Sequence, residues 1–221
     1  MEASSSKREG DGSETGGSGS KRQRTECDTV ESDEKTSQPG APRENVWQAA
    51  REGNLELVKE WVDSDPLKAI EAEAVKFGMP ALHNAAAGCG HLEVVKYLIT
   101  EAGVDVNQTD PGGPFGGHTA LHLTGNLEVA KFLVVEAGAN VNLVSTDGST
   151  PVMDAAGIDE SLEVMKFLAT ETNADVNLTR EEDGCTALHY AAGLAWSCPA
   201  SLEAIKCLVE YGRADDTAVQ T

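Results

Sequence analysis

The chain has 221 residues, 40 % of them hydrophobic, and carries 37 acidic against 17 basic side chains for a net charge of −20. Its apolar runs are too short to cross a bilayer, and Met1–Arg8 lacks the apolar stretch of a secretory signal. A negative field of this size repels phosphate backbones and anionic lipid, which excludes nucleic acid and membrane as direct ligands and favours a basic protein; the same acidity also keeps an elongated molecule soluble.

Residues 1–43 come first and differ from the rest. They are rich in Ser, Gly, Glu and Lys, with Val30 as their one branched aliphatic residue and no aromatic. Such a segment buries too little surface to offset its ordering entropy, so a disordered tail is predicted. It holds nine acidic and seven basic residues, leaving 28 acidic and 10 basic in residues 44–221. Lys7 and Arg8, then twelve residues, then Lys21-Arg22-Gln23-Arg24 match a bipartite nuclear import signal carried by Lys7, Arg8, Lys21, Arg22 and Arg24. Two basic clusters on a flexible Gly/Ser spacer can reach two acidic pockets of an import receptor. The plainer alternative is a solvated basic run. Cysteines 27, 89, 185, 198 and 207 form no Cys-x-x-Cys pair and read as reduced thiols, so the expected location is intracellular, in nucleus, cytoplasm or both.

Apolar periodicity begins at Asn45-Val46-Trp47. From there Leu-Glu-x-x-Lys recurs five times, at Leu55, Leu92, Leu127, Leu162 and Leu202, with spacings of 37, 35, 35 and 40 residues. A period of that length indicates one supersecondary unit copied and stacked. Each unit reads as a turn, a short first helix, a second helix and an extended finger. In Leu92–Ile99 the apolar residues form a wide helical stripe. Asn54, Asn126, Ser161 and Ser201 precede four of the leucines and are strong N-caps, and the following Glu sits where the helix dipole favours it. Glu and Lys three apart add small surface pairs. The second helices are predicted to stop at Gly103, Gly138, Gly212 and Asn173, residues that tolerate a left-handed end. The first helices are predicted to start at caps Thr119, Thr150 and Thr186, with Pro151 at the one helical position where a missing N–H costs nothing. Asp147-Gly148 and Asp183-Gly184 fit finger tips.

Thr186-Ala187-Leu188-His189-Tyr190-Ala191-Ala192 followed by Ser201-Leu202-Glu203 resembles the ankyrin repeat. So do Ala81-Leu82-His83-Asn84-Ala85-Ala86 with Gly90–Leu98, and Gly138-Ala139-Asn140-Val141-Asn142. The resemblance spans residues 44–216 and implies an all-α, ankyrin-repeat-like solenoid of about five units (44–77, 78–110, 111–146, 147–182, 183–216), with a short tail at 217–221. It implies a concave face of fingers and first helices on which family members bind proteins. The spacer from the His-type position to the helix-2 Leu is 7, 8, 4, 8 and 12 residues along the units. The third unit's first helix is therefore expected to be little more than one turn, after a loop Pro111–Gly117 containing Phe115. The fifth places Trp196 between its helices. Pro80 stands at the capping Thr position of the second unit, and Met153 at the His position of the fourth.

Catalytic chemistry has no visible carrier. His83, His122 and His189 occupy the helix-1 His position, where the resemblance implies a bond across neighbouring loops. The carboxylates are expected on solvated helix faces and finger tips, with no apolar pocket to raise a pKa. Gly112-Gly113 and Gly116-Gly117 lack the Lys-Ser/Thr ending of a phosphate loop. No enzyme activity, cofactor, metal or small-molecule substrate is expected. The sequence reads as a non-enzymatic protein-interaction module, an adaptor or regulator. The alternative is a structural segment of a longer ankyrin-repeat protein whose effector activity lies elsewhere. By alignment the partner-binding candidates are Asn84, Asp154 and Tyr190 at the variable helix-1 position, Ser149 and Cys185 on the fingers, and Glu181, Glu182 and Asp183 as an acidic rim.

Overall fold

A computed structural model describes residues 46–64, 79–87, 90–110, 116–194 and 200–218. The tail 1–43 with its basic clusters, and Phe115, Trp196, Cys27, Cys89 and Cys198, lie outside the described residues. The chain divides into two compact units, Met1–Glu31 and Ser32–Thr221, and every described residue belongs to the second.

Five helix pairs follow one another. They are α1 (Val46–Glu52) with α2 (Leu55–Ser64), α3 (Ala81–Ala86) with α4 (Leu92–Thr100), and α5 (Ala120–Leu123) with α6 (Leu127–Lys131). Then come α7 (Pro151–Ala156) with α8 (Leu162–Glu171), and α9 (Ala187–Leu194) with α10 (Ala200–Ala218). Helix α6 runs on through one π-type turn, Phe132–Glu136, and a 3₁₀ turn, Asp159–Ser161, leads into α8. Among the described residues there is no strand, and the isolated antiparallel bridge is Ala87 with Thr124. First helices stack on first helices in the order α1, α3, α5, α7, α9, and second helices on second helices in the order α2, α4, α6, α8, α10. The result is a two-layer helical solenoid in which each unit touches its neighbours. Helix α5 has four residues, as its short spacer predicts.

The core runs along the seam between the layers. Leu82, Leu121 and Val152 from first helices and Leu98, Leu133 and Leu168 from second helices are buried, each contributing about 1.5–3 kcal/mol by leaving water. Alanines 49, 50, 85, 86, 120, 155 and 191 are buried on the first helices, where their small side chains let these short helices approach closely.

The helix ends follow the sequence in part. Asn126 caps α6, its Oδ1 accepting from the N–H of Glu128 and Val129 (3.0 and 3.2 Å), and Asn54 Oδ1 accepts from Leu57 N–H at 3.1 Å. Gly103 and Gly138 adopt left-handed φ of 70° and 74°. Four expectations are corrected. Ser161 makes no side-chain cap, and α10 begins at Ala200, so Ser201 lies inside the helix; the hydroxyls of both are buried without a partner. Asn173 is not left-handed, because among the described residues only glycines have positive φ. Helix α8 instead ends at an extended Thr172, whose Oγ1 accepts from Ala174 N–H. Gly212 lies within α10. The turns after Gly138 and Asn173 carry a buried valine, Val141 or Val176, that draws the chain out of the helix. Arg213-Ala214-Asp215-Asp216 after Gly212 has none.

Two hydrogen-bond series tie the units together. Asn107 Oδ1 accepts from Asn140 N–H in the next unit, and Asn142 Oδ1 from Asp175 N–H, both at 2.8 Å. Finger pairs close at Asp110 N–His118 O (3.0 Å), Ser145 N–Ser149 O (2.9 Å) and Arg180 N–Cys185 O (2.9 Å), and Thr146 N–H joins one finger to Gly116 O of the last (3.0 Å). The surface Glu–Lys pairs form in four units at 3.2–3.9 Å. In the fifth, Glu203 reaches back to Lys166 of the fourth at 3.0 Å.

Candidate protein-binding face

Each first helix starts where a Thr and the His three residues on lock together. Thr119 N–H donates to His122 Nδ1 at 3.1 Å and Thr119 Oγ1 lies 2.8 Å from the same atom. Thr186 and His189 repeat this at 3.1 and 3.0 Å. The imidazole thus does the work of the Glu in a capping box. It does so only with Nδ1 unprotonated, since it accepts a backbone N–H. Burial agrees, lowering the pKa of His83 and taking that of His122 down to about 4. His83, whose unit has Pro80 in place of the Thr, instead donates from Nε2 to the His118 carbonyl of the next finger at 2.8 Å. In the fourth unit Met153 replaces the imidazole, and Thr150 Oγ1 is left buried without a partner.

Between the third and fourth units lies a polar cluster that the sequence did not disclose. His118, buried at a finger base, places Nε2 3.1 Å from Asp154 Oδ2, and Ser149 Oγ donates to the same carboxylate oxygen at 3.3 Å. Asp147 Oδ1 accepts from Ser149 Oγ at 2.9 Å and also pairs with Ser145 Oγ. Burial pushes the Asp147 carboxyl up, but these serine hydrogen bonds outweigh it and hold the group below its ordinary value. Ser149 is therefore fully buried and not on the finger surface. Nor do all carboxylates lie in solvent: Asp110 is buried and Asp154 is largely enclosed. The partners are 36 residues or fewer apart along the chain but in different units, so spacing rules within one helix could not find them.

The fifth unit gathers most of the remaining candidates. Arg180, at the base of its finger, donates from one terminal nitrogen to Tyr190 Oη at 2.8 Å and from the other to Glu182 at 3.1 Å, with Asp183 3.8 Å away. The bond to Tyr190 raises the guanidinium pKa, and burial raises that of the half-buried phenol. Arg180 was missed in the sequence; its one signal is a lone cation beside three consecutive acids. Glu181, Glu182 and Asp183 are exposed. Cys185 is half-buried, and burial pushes its thiol pKa up, which argues against a reactive nucleophile. Asn84 lies two units before Asp154, half-buried, with its amide donating to its own chain at Met79 O (3.0 Å) and Pro80 O (3.2 Å). His189, unlike His83 and His122, is exposed. Among the described residues no group of three His, Cys, Asp or Glu could hold a metal ion, and no helix is long and apolar enough to cross a membrane.

The arrangement offers an aromatic edge, amides and carboxylates on a stiff array, which suits recognition. The family profile described as ankyrin repeats (3 copies) matches residues 46–143 and 123–219, together most of the chain. The chain belongs to the ankyrin-repeat family, whose arrays are generally protein–protein interaction modules and typically non-catalytic. No curated protein matches it.

Proposed function

We propose that the chain is a non-enzymatic adaptor or regulator that holds a protein partner on the fingers and first helices of its fourth and fifth units. Tyr190 is the anchor, Asp154 and Asn84 are flanking polar contacts, and Glu181, Glu182 and Asp183 steer a basic segment of the partner towards it. The observation that carries this reading is the Arg180–Tyr190 bond, which fixes an accessible aromatic side chain beside an exposed acidic finger. An aromatic already held in one orientation loses little freedom on binding, and such residues dominate interface energetics. Ser149, being buried, has no contact role.

The test is affinity capture with residues 44–221 and mass-spectrometric identification, followed by rate measurements at two salt concentrations. Tyr190→Ala is expected to weaken the captured partner by about 2 kcal/mol, and Tyr190→Phe by less, since it keeps the ring. Charge reversal at Glu181 and Glu182 is expected to slow association and flatten its salt dependence while leaving dissociation nearly unchanged. If neither variant alters binding while Phe115→Ala or Trp196→Ala abolishes it, the contact lies on the irregular loops and the reading is wrong.

A further inference from the structure

The last unit exposes the surface that every earlier unit buries against its successor. On the first helices Leu82 and Val152 are each 1 % accessible, whereas their counterpart Leu188 is 37 % accessible. On the second helices Leu55, Leu92, Leu127 and Leu162 pack against the core, whereas Leu202 is 57 % accessible. Val58, Val95, Ala130 and Met165 are fully buried and Ile205 is only half-buried. A Cβ at Gly157 would meet the Tyr190 ring at 3.2 Å, but one at the equivalent Gly193 would meet nothing within 4 Å. The linking groups are open as well. Asn107 and Asn142 each accept a backbone N–H of the following unit, while Asn177 stands exposed, as does His189. The opposite end of the array is finished differently: Val46, Ala49 and Ala50 of α1 are buried and Arg51 and Glu52 are exposed. A head-to-tail stack would thus set an apolar face on a charged one.

We infer that this end face is a dimer interface, occupied by the same face of a second copy across a two-fold axis. The face is complementary to itself. Leu188 projects from α9, and four and five residues on, Ala192 and Gly193 leave a notch on the same side of the helix. Antiparallel pairing of two α9 helices sets each Leu188 over the other copy's notch, with Leu202 and Ile205 extending the apolar contact. An isologous contact of this kind closes at two copies and leaves no apolar end to propagate. Charge sets the salt dependence. Two chains of −20 repel, so dimerisation strengthens as salt screens them, opposite to the dependence expected of a basic partner on the acidic finger.

Sedimentation equilibrium of the full chain over a concentration series, at low and high salt, tests this without any captured partner. A monomer–dimer equilibrium is expected, tighter at high salt, with Leu188→Asp and Leu202→Glu each raising Kd by at least about tenfold. Both side chains are exposed, so far-UV circular dichroism and thermal melting of the two variants should match the wild type. Val135→Asp, at a side chain 72 % accessible on the third unit, should leave the equilibrium unchanged. A monomer at every concentration, a dimer indifferent to both leucine variants, or a dimer broken by Val135→Asp would each overturn the inference.

Discussion

His122 and Met153 occupy the same place in successive units, and the difference between them sets how this molecule responds to acid. Burial takes the His122 pKa to about 4 and lowers that of His83, against about 6.5 in an unfolded chain. Between those values the unfolded chain binds a proton that the folded one refuses, so stability is intact above about pH 6.5 and declines as pH falls towards 4. For His122 the loss is on the order of 3 kcal/mol, with His83 adding to it in the same direction. Urea denaturation midpoints at neutral and mildly acidic pH should show this. His122→Met should lower stability at neutral pH by about 1 kcal/mol, because Thr119 loses its acceptor, yet shrink the acid-induced fall. An unchanged fall would mean that the imidazole is not the titrating group. The histidine positions were legible because they recur with the repeat. Their partners were not: His118 with Asp154, and Arg180 with Tyr190, meet only because fingers bring together residues from separate turns of the chain.

At the scale of elements, what the sequence predicts well is whatever depends on spacing. The four-residue spacer of the third unit gives the four-residue helix α5, and the five Leu-Glu-x-x-Lys motifs each fall on a second helix. What it predicts poorly is where those helices end. Ser161, Ser201 and Gly212 all have suitable chemistry, but packing of the neighbouring unit and the absence of a following valine turn decide the boundary. The same distinction separates the threonine caps. Thr119 Oγ1 is bonded to His122, whereas Thr150 Oγ1 is buried without a partner. Thr119→Val should therefore destabilise the array by about 1 kcal/mol, and Thr150→Val should be neutral or stabilising, because it replaces an unsatisfied hydroxyl with a methyl of the same shape. Equal losses in thermal unfolding would show that both hydroxyls serve the same role.

The whole molecule is a rigid row of units with unlike ends and faces. Its acidity is concentrated in residues 44–221, which carry 28 acidic against 10 basic side chains, so the array itself bears the field that would draw a basic partner. Second helices present a surface of Glu–Lys pairs, worth little each in solvent, while the fingers and first helices of the fourth and fifth units present Tyr190 and three exposed acids. The most direct measurement of where recognition occurs is hydrogen exchange on the array with and without its captured partner. Protection is expected at residues 180–190, from the acidic finger through Tyr190, with the second helices α4 and α8 unchanged. Protection confined to those second helices, with 180–190 exchanging as before, would contradict it.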